Sequence, residues 1–130
     1  FRRLLQFPFI GIEHAERVFV AAAIHARYVG RPDDHWLEPA IGLLAANDRR
    51  RAQILGRALL LGYRLSGGVP ELLDNARLRI GADMVRLEVC TAGKVPDSEV
   101  VGDRLKLLAQ ALGVRGMEVV EVPGGAASGR

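Results

Sequence analysis

The hydrophobic pattern of this chain changes its period at the segment GGVP, residues 67–70. Before this segment, apolar residues recur every three to four positions, which is typical of helices that bury one face. After it, apolar and polar residues alternate, which is typical of strands. Paired glycines followed by a proline are a strong helix stop. The sequence therefore predicts an α+β protein, with a helical part over residues 1–70 and a small domain over residues 71–122.

The helical part is predicted to contain several segments separated by glycine and proline. A short segment ends near Pro8, a long helix covers residues 13–29, and a shorter one covers residues 37–46. Asp48 is expected to cap the next helix, which continues to Ser66. The loop RPDDHW, which lies between the second and third segments, offers further capping residues at Asp33 and Asp34.

The second part is predicted to have the order β-β-α-β. The stretch RLRIGADMVRLEV indicates a hairpin whose buried face carries alternate apolar residues, namely Leu78, Ile80, Val85, Leu87 and Val89. A helix capped by Asp97 or Ser98 follows and ends at Gly113. Its apolar stripe consists of Val101, Leu105, Leu108 and Leu112. MEVVEV is a last strand, and we expect residues 123–130 to be a disordered tail.

Composition places the chain among soluble globular proteins. It has 130 residues, of which 49% are hydrophobic and 25% charged, and no apolar run approaches the roughly 20 residues needed to cross a bilayer. The single cysteine, Cys90, excludes an internal disulfide and fits a reducing compartment. We therefore expect a cytoplasmic location. Because the chain does not begin with methionine, it is expected to be the later part of a longer polypeptide.

Positive charge is concentrated in the first half and is carried by arginine. Sixteen of the eighteen basic residues are arginine. Through residue 68 there are ten arginines and six acids, a net charge of +4, whereas the remainder has eight basic and nine acidic residues, a net charge of −1. The forked guanidinium group suits phosphate and carboxylate oxygens. This balance is compatible with a polyanionic partner of the helical part.

Three of these arginines form a stripe on the fourth helical segment. Arg50, Arg57 and Arg64 recur every seven residues, so they share one side of the helix at intervals of about 10 Å. Such a row could follow a linear polyphosphate. It could equally form salt bridges to acids of the same part, for which Glu13, Glu16 and Glu38 are the candidates. The pattern leaves both interpretations open.

The histidines suggest a metal site by residue type, but their spacing argues against one. His14 and His25 are eleven residues apart on one helix, which separates them by about 16 Å along its axis, too far to share an ion. His25 lies among apolar positions and is interpreted as an interior residue. The Asp33-Asp34-His35 cluster is explained by capping at least as well as by metal binding. Cys90 has no activating base near it in sequence.

Two segments of the chain carry a family resemblance. FPFIGIEHAERVFVAAAIHARYVG and RAQILGRALLLGYRLSGGVPELL, followed by the hairpin, helix and strand, resemble the C-terminal region of bacterial exopolyphosphatases. These enzymes belong to the exopolyphosphatase/guanosine pentaphosphate phosphatase family. The resemblance covers the chain up to Val122. Its strongest parts are residues 11–14, Arg17, Arg27 and residues 63–67.

The resemblance implies that the chemistry lies elsewhere in a longer protein. Family members carry two upstream actin-like domains, with glycine-rich phosphate loops, a carboxylate base and a magnesium ion. An HD-like helical domain and a small α/β domain follow, and this chain resembles the second part of the former together with the latter. The implied roles are polyphosphate binding and homodimerisation, with no catalytic residue or metal ligand in this chain. The implied polyanion-binding residues are Arg17, Arg27, Arg50, Arg57 and Arg64.

Two other functions remain open from the sequence. A stand-alone module could bind nucleic acid through the arginine stripe, although Trp36 and two tyrosines are the only plausible stacking residues. A metal-dependent phosphohydrolase could use His14, His25 and His35. Competition between polyphosphate and single-stranded RNA separates the first of these from the family-based hypothesis, and metal analysis tests the second.

Overall fold

A computed structural model describes residues 1–8, 10–28, 38–90 and 98–123 of the chain. Its helices and strands, in chain order, are α1 (Arg2–Gln6), α2 (His14–Tyr28), α3 (Glu38–Ile41), α4 (Ala46–Ser66), a 3₁₀ helix (Pro70–Asn75), β1 (Ala76–Ile80), β2 (Met84–Cys90), α5 (Ser98–Leu112) and β3 (Gly116–Val122). Helices α1–α4 precede the sheet and α5 lies between its last two strands, so the predicted α+β class is confirmed.

The chain forms two compact units, Phe1–Leu59 and Leu60–Arg130, and helix α4 begins in the first and ends in the second. The domain limits expected from the sequence, at residues 70 and 122, remain predictions. The expected disordered tail lies outside the described residues, apart from Pro123. Within the described residues, no helix is long and apolar enough to cross a membrane.

Helix α2 begins with a capping interaction that the sequence analysis did not include. The backbone N–H of Glu13 donates a hydrogen bond of 2.9 Å to Oε2 of Glu16. This is the reciprocal half of a capping box, in which the third helical residue satisfies the amide of the N-cap residue. Gly11, with φ of 79°, provides the turn that leads into it. The carboxylate of Glu16 therefore caps the start of α2.

Helices α2 and α4 approach each other closely because their facing residues are small. A Cβ atom at Gly56 would lie 2.4 Å from the carbonyl oxygen of Ala23 and 2.6 Å from Cβ of Ala26. Ala23 and Ala52 are buried, with exposures of 2% and 0%. Glycine at position 56 is therefore what allows the two backbones to touch.

The segment before α4 differs from its prediction. Helix α3 ends at Ile41, and Leu43 and Leu44 then donate to carbonyls three residues earlier, so the turn tightens instead of continuing to residue 46. Helix α4 starts at Ala46, and Arg49 N–H bonds to the carbonyl of Ala45, which is thus the N-cap. The prediction that Asp48 caps this helix is wrong. Asp48 lies in the first turn, where a negative charge complements the helix dipole.

The end of α4 follows the sequence prediction. The helix stops at Ser66, and Gly67 and Gly68 have φ values of 57° and 89°, in the left-handed region that glycine enters without strain. The Ser66 hydroxyl accepts a hydrogen bond of 3.2 Å from the Gly68 amide.

The second unit contains a three-stranded sheet in the order β1-β2-β3. Strands β1 and β2 form the predicted antiparallel hairpin, and β2 pairs with β3 in parallel through the α5 crossover. One face of β2 is buried through alternate valine and leucine side chains, and α5 contributes its own apolar stripe to the same core. The residues are Val85, Leu87, Val89, Val101, Leu105 and Leu108, each 5% exposed or less.

Three members of the predicted apolar set are less buried than expected, and one of them, Leu78 on β1, is half-buried. Ile80 is 59% exposed, because it ends the edge strand β1 while α5 packs on β2 and β3. Leu112, in the last turn of α5, is half-buried. Edge positions and helix ends are covered from fewer sides than central positions, and the alternation of residue types does not distinguish the two.

Candidate polyanion-binding surface

Arg17 joins the first two helices. It lies on α2 and is half-buried, and its Nη1 donates to the carbonyl oxygen of Leu5 in α1 at 3.4 Å. Its Nε is buried and makes no hydrogen bond within the described part of the chain. The guanidinium group therefore holds α1 against α2, and little of it is offered to an external anion.

Arg27 lies in the last turn of α2, where its charge complements the carbonyl end of the helix dipole. Its Cζ is 5.0 Å from the ring centroid of Tyr28, within cation–π range. Tyr28 is 72% exposed. This end of α2 therefore presents a cation beside an aromatic ring that solvent can reach.

The arginine stripe of α4 is not uniform. Arg50 and Arg64 are exposed, whereas Arg57, midway between them, is only 9% exposed. Seven residues advance a helix by almost two full turns, so the three still lie on nearly the same side. A ligand in solution can therefore reach the guanidinium groups at positions 50 and 64 more readily than the one between them. Polyanion binding by these five arginines remains a prediction.

Two of the three arginines at residues 49–51 contact nearby elements. Arg49 contacts the segment just before α4, and Arg51 contacts the first turn of α4 and a residue of α2. Nε of Arg49 donates to the carbonyl oxygen of Leu44 at 3.0 Å, where it satisfies a group before the helix. Nη1 of Arg51 bonds to Oδ1 of Asp48 at 3.1 Å, and its Cζ lies 5.9 Å from the Phe19 ring centroid. Their neighbour Arg50 is exposed, as is Arg51, whereas Arg49 is half-buried.

A cavity of about 520 Å³ lies beside Arg51, between the start of α2 and the start of α4. Its lining is mixed: apolar side chains such as Ile12 and Phe19 adjoin the carboxylates of Glu16 and Asp48. Glu16 is held by the helix cap and Asp48 by Arg51. The charged groups in this cavity thus have structural partners already.

The sheet carries a second set of arginines that the sequence analysis did not select. On the side opposite the buried face of β2, Arg79 pairs in register with Arg86, and Arg86 pairs with Glu118. Arg77 and Glu88 form another pair on the same side. We call these five residues the open face of the sheet. The alternation of residue types that predicts the buried positions also indicates these charged residues, because they occupy the positions in between.

Each central arginine of the open face is anchored by a glutamate. Nε of Arg79 donates to Oε1 of Glu88 at 2.7 Å, and Nε of Arg86 donates to Oε1 of Glu118. The arginine side chains are 56% and 46% exposed. Exposed ion pairs of this kind add little to stability, so their main effect is to orient the guanidinium groups.

The histidines are not brought together. His14, the first residue of α2, is exposed, and the cap of this helix is made by Glu13 and Glu16. His25 is half-buried, and its ring meets that of Phe1 edge-on with centroids 6.0 Å apart. Within the described residues, no three histidine, cysteine or acidic side chains are grouped so that they could hold a metal ion. The residues at positions 33–36, which include His35 and Trp36, lie outside the described residues.

Comparison with protein families places these elements in a known context. Residues 4–120 match the family described as exopolyphosphatase, C-terminal. The chain belongs to this family. The match includes all five predicted polyanion-binding arginines and the open face of the sheet, and it confirms the resemblance found in the sequence. A search of curated proteins finds no significant match.

Membership of the exopolyphosphatase C-terminal family bears on how the surfaces above are interpreted. Arg50 belongs to the first unit, whereas Arg64 and the arginines of the open face belong to the second, so both units of this family member carry exposed guanidinium groups. Such groups bind phosphate oxygens through charge-assisted hydrogen bonds. Anion binding by these groups remains a prediction.

Proposed function

We propose that this chain is the non-catalytic C-terminal portion of an exopolyphosphatase-family hydrolase and that it contributes polyphosphate binding and dimerisation. The parent enzyme would release orthophosphate from inorganic polyphosphate or from guanosine pentaphosphate. Its catalysis would take place in upstream actin-like domains of the same cytoplasmic polypeptide. The family match over residues 4–120 is the observation that carries this proposal.

The exposed arginines support the polyphosphate part. Arg50 in the first unit and Arg64 in the second are both exposed on α4, so each offers a guanidinium group to phosphate oxygens. Arg27, which is half-buried in the last turn of α2, adds a further guanidinium group. Phosphate binds guanidinium through paired charge-assisted hydrogen bonds, which makes arginine more suitable than lysine for this task.

Magnesium belongs to the proposed parent enzyme and does not fit the described residues of this chain. Magnesium prefers carboxylate oxygens and water in an octahedral arrangement. The described acids form no suitable group with one another or with histidine or cysteine. As the family resemblance implies, the magnesium ion would be held in the proposed upstream domains.

The test measures binding and hydrolysis by the 130-residue chain itself. Fluorescently labelled polyphosphate should bind with an affinity that falls as salt increases, because salt screens exposed charges. Orthophosphate release should stay at the background level with magnesium present. An R50Q/R64Q variant should bind more weakly than a K106Q/R115Q variant, which loses the same charge from exposed sites outside α2 and α4. Absence of binding at low salt would refute the polyphosphate part.

Exposed apolar side chains support the dimerisation part. Leu55 and Leu59 follow each other by one turn on α4 and are 42% and 41% exposed. A second copy that covers them would remove this apolar area from water. Sedimentation equilibrium should show a dimer that an L55E variant weakens more than an L43E variant, since Leu43 is exposed outside the helix. A monomer at high concentration would refute this part.

Nucleic-acid binding is the alternative function, and one observation favours it. Tyr28 and Tyr63 are 72% and 49% exposed, and each adjoins an arginine in sequence. Aromatic rings beside cations are a common platform for unpaired bases. Single-stranded RNA should displace labelled polyphosphate only at high excess if the family-based proposal is right. Stronger competition by RNA than by unlabelled polyphosphate would favour the alternative.

A further inference from the structure

We infer that the open face of the sheet binds a phosphate group of polyphosphate between Arg79 and Arg86. This inference rests on the proposed function and adds a second binding surface to it, located in the second unit. The surface is separate in sequence from the arginines of α2 and α4.

Two like charges are paired on the open face. Arg79 and Arg86 are direct cross-strand partners, so their Cα atoms are about 4.5–5.5 Å apart and their side chains leave the same face. Two like charges in this position repel each other. An anion bound between the two guanidinium groups converts this repulsion into attraction to both.

Both guanidinium groups are held in place before a ligand arrives. Each is anchored through Nε to its own glutamate, Arg79 to Glu88 and Arg86 to Glu118. A guanidinium group has five N–H donors, so a bond at Nε leaves the terminal amino groups for another acceptor. Holding a flexible side chain in its binding orientation lowers the entropy cost of binding.

The open face has a positive net charge and an adjoining cavity. The open face carries three arginines and two glutamates, a net charge of +1. A cavity of about 510 Å³ adjoins it and is lined by Arg77, Arg79 and Glu88. Asp74 also lines this cavity and would repel an anion. We therefore place the phosphate on the side of Arg79 that faces Arg86, with the cavity giving access for the rest of the chain of phosphates.

The experiment titrates the complete chain with sodium tripolyphosphate at low salt, by calorimetry. The R79Q/R86Q variant should bind about tenfold more weakly than the unmodified chain, because charge-assisted hydrogen bonds are lost on both sides of the phosphate. K106Q/R115Q, which removes equal charge from exposed positions off the open face, should bind within about threefold of the unmodified chain. Equal losses in the two variants would overturn the inference.

A conservative variant separates oriented donors from charge alone. R79K/R86K keeps both charges but loses the planar fork and the Nε anchor. Its affinity for tripolyphosphate should fall nearly as far as that of R79Q/R86Q. Affinity equal to that of the unmodified chain would overturn the role of the anchored guanidinium groups.

A measurement on the unmodified chain avoids the question of whether the variants fold. The ¹⁵Nε–H resonances of Arg79 and Arg86 should shift in a saturable way as tripolyphosphate is added. If long polyphosphate binds while these two resonances stay unchanged, the inference fails and the proposed function stands. If neither tripolyphosphate nor long polyphosphate binds at low salt, both fail.

Discussion

The carbonyl oxygen of Ala23 lies so near Gly56 that a methyl group on the glycine would stand 2.4 Å from it. Real Cβ atoms do not approach backbone oxygen so closely, and Cβ of Ala26 would be only 2.6 Å away. Helices α2 and α4 therefore meet through their backbones at this point. The contact depends on the absence of a single side chain.

Replacing this glycine should destabilise the protein. In G56A the new methyl group must push the helices apart, and overpacking of this kind costs about 1–3 kcal/mol of unfolding free energy, more than the gain of about 1 kcal/mol in helix propensity. G62A is the matched control on the same helix, since its nearest neighbour would be Leu73 Cδ2 at 4.0 Å. Urea unfolding should show G62A stabilised by about 0.5–1 kcal/mol. Stabilisation of G56A to the same degree would contradict the close contact.

The Glu16 cap should be measurable by the same method. E16A removes the acceptor of the Glu13 amide and should lower the unfolding free energy by about 0.5–1 kcal/mol. E16Q retains a side-chain oxygen that can accept this bond, so it should lose less than E16A. Equal losses in E16A and E16Q would mean that the charge, and not the hydrogen bond, matters here.

Core and edge positions of the second unit should respond differently to truncation. Leu105 is fully buried under the sheet, so L105A should cost about 2–5 kcal/mol. I80A, at the exposed end of β1, should cost less than about 1 kcal/mol. A comparable cost for both would show that Ile80 is covered in solution.

Substitutions at Arg57 and Arg64 should affect different properties, namely stability at the buried position and polyphosphate affinity at the exposed one. Loss of the buried side chain in R57Q should lower the unfolding free energy by about 1–3 kcal/mol, because its stem packs inside the protein. R64Q, at an exposed site, should change stability by no more than about 0.5 kcal/mol and should weaken polyphosphate binding. If R57Q weakens binding more than R64Q does without loss of stability, all three arginines of the stripe contact the ligand.

The helices and strands were predictable wherever one signal dominated. The stop at Ser66 followed from two glycines before a proline, and the hairpin followed from strict alternation of residue types. The segment around Ile41 was harder, because its turn is set by hydrogen bonds to carbonyls three residues back rather than by a distinct breaker. Capping preference alone pointed to Asp48, whereas the helix begins two residues earlier at Ala46.

The candidate site was predictable in residue type but not in exposure. A spacing of seven residues placed Arg50, Arg57 and Arg64 on one side of α4, yet burial of the middle residue depends on what packs against it. The open face of the sheet was missed for another reason. The sequence shows alternate charges on β1 and β2. The pairing of Arg86 with Glu118, however, depends on how β3 aligns with β2, and the two residues are 32 positions apart in sequence.

The central strand of the sheet also sets an order of events during folding. Val85 pairs with Ile80, five positions earlier, and with Met117, 32 positions later. Closing a short loop loses less chain entropy than closing a long one, and hairpins form within about 1–10 μs. We therefore expect the hairpin to form before β3 pairs with β2. Glu118 meets Arg86 only at that last stage, so the anchored pair of arginines becomes complete when the unit finishes folding.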